Sequence, residues 1–114
     1  MHLAMGQAPV VLGDIEKNLA IMEGLICEAQ KDSEQDIDLI AFPELFITGY
    51  NLRDNYNDVA EKISDKGKAQ SGMCRLAKTY NIHIVTGIVE KAGKSLFNSA
   101  ILIGPEGYLG HYRK

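Results

Sequence analysis

At 114 residues, the chain is long enough for one domain with a hydrophobic core. Its 46% hydrophobic and 24% charged residues are typical of a globular protein, and its net charge of −3 argues against nucleic acid or an anionic membrane as the main partner. No apolar run approaches the length of a membrane span, and His2 and Gln7 argue against a signal peptide, so we expect a cytoplasmic protein.

The first elements predicted are a short strand and a long amphipathic helix. Residues 2–7 favour a strand, which Ala8-Pro9 ends. Asp14 is a suitable N-cap for the helix, because its carboxylate can accept free amide hydrogens of the first turn. Gly24 lies inside the helix, where close packing would explain it. The apolar residues that recur at intervals of three and four are Ile15, Leu19, Met22, Ile26 and Ala29.

The central stretch is IDLIAFPELFITGY, residues 37–50. Residues 39–42 are typical of a strand buried on both faces, and Pro43 ends it by removing a backbone donor. Glu44 therefore lies at the carboxyl end of a strand, where open α/β sheets place reacting groups. Burial among apolar neighbours would raise its pKa and suit it to general base catalysis. From these residues alone, a solvent-exposed loop acid or a helix-capping residue is the alternative.

Two more helices are predicted after Tyr50. Residues 51–57 are polar and turn-rich, and Asp54 and Asp58 can each cap a short helix that runs through Ile63. Residues 66–68 mark another break. The second helix then ends at Asn81, and its apolar face is Ala69, Met73, Leu76, Ala77 and Tyr80.

Strands and short turns are predicted for the rest of the chain. The strands span residues 82–89, 96–103 and 108–112. Gly87 suggests a bulge or a close backbone approach, and Gly110 interrupts the last strand. The connection at residues 91–94 has hairpin length, and residues 104–107 form the next turn. Strand–helix alternation followed by antiparallel strands predicts a layered α/β sandwich with a mixed sheet.

The thiols and imidazoles indicate no metal site. Cys27 and Cys74 both fall in helical patterns, and we interpret them as buried thiols of a reducing compartment rather than a disulfide. The histidines, His2, His83 and His111, are scattered and lack the ligand spacing of a zinc site. We therefore expect no structural metal.

Two sequence blocks resemble one enzyme family. FPELFITGY resembles the segment around the catalytic glutamate of the nitrilase, or carbon–nitrogen hydrolase, superfamily. LFNSAILIGPEGYLGHYRK closely resembles the second block of that family, in which two antiparallel strands lead to a catalytic lysine. The resemblance covers essentially the whole chain. It implies an α/β fold, specifically the N-terminal part of a nitrilase-like α-β-β-α four-layer sandwich with mixed sheets.

The resemblance also implies a reaction, the hydrolysis of non-peptide carbon–nitrogen bonds in small amides or nitriles, with amides favoured and no cofactor. A cysteine thiolate attacks the substrate carbon, a glutamate accepts the thiol proton, and a lysine stabilises the negative charge that develops. Carried over by motif, Glu44 is the general base and Lys114 the oxyanion stabiliser. The family's nucleophilic cysteine follows that lysine, so neither Cys27 nor Cys74 fits the role.

Residues 1–114 are thus expected to be a partial carbon–nitrogen hydrolase domain that is inactive alone. Such a piece leaves strand edges and an apolar sheet face uncovered, which predicts a homo-oligomer or association with the absent C-terminal half. Glu44 and Lys114 should converge at neighbouring strand ends, with their charged groups within roughly 4–6 Å. The lysine would lower the pKa of Glu44 while burial would raise it, so the net direction is left open.

Two other functions compete with this one. The first is a non-catalytic α/β interaction module with the same fold. The second is a carboxylate hydrolase that uses Glu44 with a bound metal, for which the sequence lacks clustered ligands. The acyl group and the type of bond cleaved are not encoded in these residues, although residues 51–57 are placed to form part of a pocket rim.

Overall fold

The structure, a computed structural model, describes residues 1–63 and 67–114. The predicted break at residues 66–68 therefore includes Lys66, which lies outside the described residues. A single 3-10 turn, Arg53–Asn55, precedes the second helix. The elements in chain order are β1 (Leu3–Met5), α1 (Ile15–Asp32), β2 (Leu39–Ala41), α2 (Tyr56–Val59), α3 (Lys68–Tyr80), β3 (His83–Ala92), β4 (Ser95–Gly104) and β5 (Gly107–Arg113).

These five strands form one mixed sheet in the order β1-β2-β3-β4-β5. β1, β2 and β3 are parallel, whereas β3, β4 and β5 are antiparallel and follow one another through tight turns. The predicted interruption at Gly110 is a bulge, because Leu102 pairs with Gly110 and Ile103 with Tyr108, leaving Leu109 as the extra residue. The predicted α/β class and mixed sheet are confirmed.

One face of the sheet is closed by α1 and α3. Alternate residues of β3 and β4 point into this core, because successive side chains of a strand point to opposite faces. The largest fully buried apolar side chains of the two helices and the sheet are Met22, Ile26, Met73, Leu76, Ile40, Ile84, Ile101 and Ile103. We call this the helix face. It holds one continuous hydrophobic cluster.

No described helix covers the opposite face, which we call the open face. On β1, Met5 is 89% exposed, whereas Ala4 contacts the core on the other side. On β2, Ile40 is buried on the helix face, but Leu39 and Ala41 are only half-buried. The prediction that β2 is buried on both faces is therefore wrong for this chain, since only one side of the strand is covered.

Two helix ends are fixed by residues beside them in the sequence, and a third is fixed by a residue farther away. Asp14 caps α1, where its side chain accepts the N–H of Lys17 at 3.0 Å. Asn81 ends α3 in the left-handed conformation, with φ of 50°. The start of α3 is capped by Glu61, whose carboxylate accepts the N–H of Ala69 at 2.7 Å and of Gln70 at 3.1 Å.

Glu61 also explains why the short helix after Asp54 ends early. The predicted helix through Ile63 is wrong, because α2 ends at Val59 and neither aspartate makes a capping hydrogen bond there. Glu61 instead runs beside β3, where its N–H donates to Val89 O at 3.0 Å and its carbonyl accepts from Lys91 N at 2.8 Å. This extended pairing excludes a helical conformation at the same residues.

Two predictions for α1 are also wrong. A Cβ at Gly24 would meet nothing within 4 Å, so close packing does not explain this glycine. Cys27 is exposed, and its Sγ lies 3.3 Å from Tyr80 Oη on the outer side of the helices. Cys74 is half-buried and contacts the core, as predicted. Among the described helices, none is both long and apolar enough to cross a membrane.

Candidate active site

Glu44 lies in a tight turn that starts where β2 ends. Phe42 continues the ladder beyond β2, donating its N–H to Val85 O at 2.9 Å. Leu45 follows Glu44 in the left-handed region, with φ of 50°. This conformation is uncommon for a bulky residue, and such residues cluster at functional sites. Gly49 closes the turn by donating its N–H to Leu45 O at 2.8 Å. The backbone directly after Glu44 is therefore held in an unusual conformation.

Gly87 of β3 allows this turn to lie directly against the sheet. A Cβ at Gly87 would be 2.2 Å from Leu45 N and 2.9 Å from Glu44 Cα, distances that real Cβ atoms essentially never show. Both of these are backbone atoms, so no side-chain rotation could relieve the overlap. The predicted close approach at Gly87 is thus present, and it is made with the segment that carries Glu44.

Asn18 of α1 fixes the other side of the same turn. Its side chain is fully buried and donates to Ile47 O at 2.8 Å. It also donates to Val11 O at 2.8 Å and accepts from Val11 N at 2.7 Å, so it connects two loops to the helix. A buried amide that satisfies three backbone groups specifies one arrangement of those loops. The sequence analysis missed this residue.

Lys114 reaches Glu44 from the end of β5, although 70 positions separate the two residues. Lys114 Nζ donates to Glu44 Oε1 at 2.9 Å, closer than the predicted separation. Asn98 of β4 supports both residues, because its side-chain amide donates to Glu44 Oε1 at 2.5 Å and its carbonyl accepts the N–H of Lys114 at 2.9 Å. The predicted convergence is present, but the expectation of neighbouring strands is wrong, because β3 and β4 lie between β2 and β5. The catalytic roles remain predictions.

The charges of this pair set the direction of both pKa shifts. The hydrogen bond from Lys114 and then that from Asn98 lower the pKa of Glu44 below its ordinary value of 4.5, against a weaker opposing effect of burial. The hydrogen bond to Glu44 raises the pKa of Lys114 above its ordinary value of 10.5. Burial does act to raise the pKa of Glu44, but its side chain is 37% exposed on the open face, so the net direction that the sequence left open is downward.

Two open cavities adjoin the pair. One, of about 370 Å³, lies directly over Glu44 and Lys114 and reaches Tyr112. The other, of about 300 Å³, shares Asn98 with the first and is lined by apolar and aromatic side chains that include Tyr50 and Tyr56. Tyr56 Oη donates to Tyr50 O, which ties the predicted pocket rim to the end of the Glu44 turn.

The two cysteines lie away from this site. Cys27 belongs to α1 and Cys74 to α3, both in the helix layer, whereas Glu44 and Lys114 meet on the open face of the sheet. The sheet therefore separates both thiols from the pair. Within residues 1–63 and 67–114, no group of three or more His, Cys, Asp or Glu side chains is placed to hold a metal ion.

The fold and the site define an α/β protein with a carboxylate–ammonium pair on the open face of its sheet. Comparison with protein families identifies it further. The family model described as carbon-nitrogen hydrolase matches residues 2–114. The chain belongs to the carbon-nitrogen hydrolase family.

Curated relatives agree with this assignment. A nitrilase of Pyrococcus abyssi is 41% identical over 101 residues, which are 87% of this chain and 37% of that protein. A probable nitrilase of Schizosaccharomyces pombe is 35% identical over 117 residues, covering 99% of this chain and 42% of that protein. The chain thus spans less than half the length of these two relatives.

Solved structures confirm the predicted fold class. An N-terminal amidase matches with a TM-score of 0.84 and 22% identity, over 98% of this chain and 27% of that one. A nitrilase-superfamily member from Saccharomyces cerevisiae matches with a TM-score of 0.80 and 20% identity, over 98% of this chain and 43% of that one. At these identities the likeness concerns the fold alone.

Proposed function

We propose that this chain contributes the general base and the oxyanion-stabilising residue of an enzyme that hydrolyses non-peptide carbon–nitrogen bonds in small amides or nitriles. The observation that carries the proposal is the contact of Glu44 with Lys114 and Asn98 on the open face of the sheet. Membership of the carbon-nitrogen hydrolase family supports the reaction class. The bond type and the acyl group stay open within that class.

Glu44 takes the role of proton carrier. Its lowered pKa keeps it ionised near neutral pH, so it can accept the proton of an attacking thiol. Both hydrogen bonds from Lys114 and Asn98 end on Oε1, which leaves Oε2 free of bonds to the described residues. The same carboxyl then donates its proton to the departing ammonia, and it accepts a proton again from the water that releases the acid.

Lys114 takes the role of charge stabiliser. Its pKa is raised, so the ammonium is fully charged where a tetrahedral intermediate would develop an oxyanion. The thiol forms a bond to the substrate carbon while the π bond to oxygen or nitrogen opens. Because Cys27 and Cys74 lie behind the sheet, we assign the nucleophile to a cysteine outside these 114 residues.

A chimera tests the proposal. Residues 1–114 replace the matching segment of the Pyrococcus abyssi relative, and ammonia release is measured with a panel of small amides and nitriles. We expect activity in the chimera, a loss of about 10²–10⁴-fold with Glu44→Gln and a loss of about 10²–10³-fold with Lys114→Met. The 114-residue chain alone should release no ammonia.

Matched variants at the two cysteines provide the control. Cys27→Ala and Cys74→Ala should leave the activity of the chimera unchanged, because neither thiol reaches the site. Activity that survives Glu44→Gln would overturn the role of the carboxylate. Turnover by the 114-residue chain that Cys27→Ala or Cys74→Ala abolishes would make that residue the nucleophile.

The alternative function is a non-catalytic interaction module. One observation favours it: the open face exposes apolar side chains, Met5 at 89% among them, beside a site that holds no thiol of this chain. A folded chimera with no turnover on any substrate of the panel, alongside an active unmodified relative, would support the module instead.

A further inference from the structure

A second carboxylate, Glu90 of β3, is buried beneath the site on the helix face, where its side chain is 3% exposed. Arg113 donates to it in a fork, with Nε 3.1 Å from both Oε1 and Oε2 and Nη2 2.6 Å from Oε2. Ser99 Oγ donates to Oε1 at 2.8 Å. The carboxylate is thus satisfied on both oxygens by residues of β4 and β5, and His111 Nε2 of β5 lies 3.5 Å from Oε1.

The guanidinium of Arg113 is held from a third side as well. Its Cζ lies 4.0 Å from the centre of the Phe97 ring, so the planar group stacks on the aromatic face. In the ladder, Glu90 pairs with Phe97 and Ser99 pairs with Arg113. Hydrogen bonds, stacking and strand pairing all fix the same residue at the end of β5.

This arrangement bears on the next residue, Lys114. Successive residues of a strand point to opposite faces, so a side chain fixed at 113 on the helix face directs residue 114 toward the open face. There the N–H of Lys114 continues the ladder to Asn98 O at 2.9 Å, and Nζ reaches Glu44. Without the contacts of Arg113, the ladder bond to Asn98 alone would hold the backbone at Lys114.

Stability alone is a weak reason for such a pair. Burying the Glu90 carboxylate costs desolvation, whereas the Arg113 side chain stays 45% exposed and its charge is partly screened by solvent. Well-packed apolar residues in place of a buried ion pair are often at least as stabilising. An arginine that donates two parallel hydrogen bonds to a carboxylate is held in one orientation as well as attracted by charge. Because Arg113 directly precedes Lys114, fixing its orientation also constrains the position of Lys114.

We propose that Glu90 and Arg113 are positioning residues that fix the end of β5 and so direct Lys114 to Glu44. The proposal rests on the proposed function only for the role of Lys114. The placement itself is a property of the 114-residue chain, and it can be tested without any hydrolysis.

The test is a pair of charge-neutral double variants. Glu90→Gln/Arg113→Met removes the buried fork without changing the net charge. Glu16→Gln/Lys68→Met removes an ion pair in the same charge-neutral way from exposed side chains of α1 and α3, where Lys68 Nζ and Glu16 Oε1 are 3.3 Å apart. The pKa values of Glu44 and Lys114 are then measured by heteronuclear magnetic resonance in both folded variants and in the wild type.

We expect the pKa of Glu44 to rise toward its ordinary value in the first variant, and the pKa of Lys114 to fall toward its own. Both should keep their wild-type values in the control. Arg113→Lys keeps the charge without the fork and should give an intermediate shift. If the pair were merely structural, the double substitution would lower the stability of the fold and leave the pKa values of Glu44 and Lys114 in the folded chain unchanged. That result would overturn the proposal.

Folding failure is also decisive. If the double variant does not fold, Arg113→Lys and Glu90→Gln are measured singly, and wild-type pKa values in either folded variant would count against positioning. Unfolding of all three would assign the pair to the fold alone. Because no substrate is used, an inactive chimera leaves these outcomes unaffected.

Discussion

The two faces of the sheet differ in what they bury and in what they expose. The helix face holds one continuous cluster of fully buried apolar side chains beneath α1 and α3. The open face carries Met5, Tyr112 and the Glu44–Lys114 pair, all accessible to solvent. One set of strands therefore supplies stability on one side and the candidate chemistry on the other.

The two carboxylates of the strands show the same division. Glu90 is 3% exposed on the helix face and Glu44 is 37% exposed on the open face, and each is paired with one of the last two residues of the chain. Exposed ion pairs contribute little to stability, whereas removing one partner of a buried pair is strongly destabilising. Glu44 is thus free to change its protonation state at little cost to the fold.

The largest expected effect compares neighbouring residues of β4. Ile103 is fully buried on the helix face, and Leu102 is half-buried on the open face. Ile103→Ala should lower the free energy of unfolding by about 2–5 kcal/mol, because it leaves a cavity in the core. Leu102→Ala should lower it by clearly less in the same urea titration. Equal losses would show that the open face is as closely covered as the helix face.

The second prediction concerns Gly87 of β3, against which the turn that carries Glu44 packs. Gly87→Ala should lower the free energy of unfolding by about 1–3 kcal/mol, because the new Cβ overlaps backbone atoms of the Glu44 turn. Gly24→Ala is the matched control. It meets nothing within 4 Å, and a glycine inside a helix costs about 0.5–1 kcal/mol relative to alanine, so it should stabilise the chain. Chemical denaturation of both variants measures the difference.

The same substitution should also disturb the site. A displaced turn moves Glu44 away from Lys114, so the pKa of Glu44 should rise toward its ordinary value in folded Gly87→Ala. Gly24→Ala should leave it unchanged. A wild-type pKa in the first variant would show that the turn adapts without moving the carboxylate.

The third prediction addresses the exposed apolar side chains. We expect the 114-residue chain to associate at micromolar concentrations, because uncovered strand edges and an apolar face favour self-pairing. Met5→Lys places a charge on the open face and should shift the sedimentation profile toward the monomer. Ala20→Lys adds the same charge on the exposed side of α1 and should not. A compact wild-type monomer with a cooperative melt would contradict the expectation.

Local patterns were sufficient for most of the fold. The N-cap at Asp14 and the left-handed residue Asn81 are specified within one helical turn of the ends they form. Glu61 was missed because it caps α3 from eight positions before Ala69, farther along the chain than local capping patterns extend. Cys27 was predicted to be buried, but it is exposed. It lies next to the apolar stripe of α1, and a residue at the edge of such a stripe can face either the core or the solvent.

The sequence motifs predicted which residues form the candidate site, but the burial of those residues was not predictable. Glu44 and Lys114 were found through the two sequence blocks, whereas Asn98, which lies in the second block, was not singled out. The apolar neighbours Phe46 and Ile47 do turn into the core, while Glu44 points to the other face. Sequence proximity to apolar residues therefore did not imply burial, because a tight turn separates adjacent side chains.

The last prediction compares the acid sensitivity of the two carboxylates. The fork from Arg113 is the largest cause that lowers the pKa of Glu90, with Ser99 adding to it and burial opposing it. A carboxyl whose pKa is lowered by folding contributes stability that is present above its ordinary pKa of 4.5 and is lost as the pH falls through its folded value. The same holds for Glu44, but solvent screens its pair on the open face.

Urea titrations of the wild type, Glu90→Gln and Glu44→Gln at about pH 7 and about pH 3 measure these contributions. The wild type should lose stability as the pH falls, because the folded state binds protons at these carboxylates less readily than the unfolded chain does. Glu90→Gln should be less stable at neutral pH and come closer to the wild type in acid, since the wild-type carboxylate loses its advantage as it is protonated. Glu44→Gln should follow the wild type closely at both values. The assignment would be reversed if Glu44→Gln reduced the loss of stability between neutral and acid pH more than Glu90→Gln does. The stabilising carboxylate would then be the one on the open face, and not the one in the core.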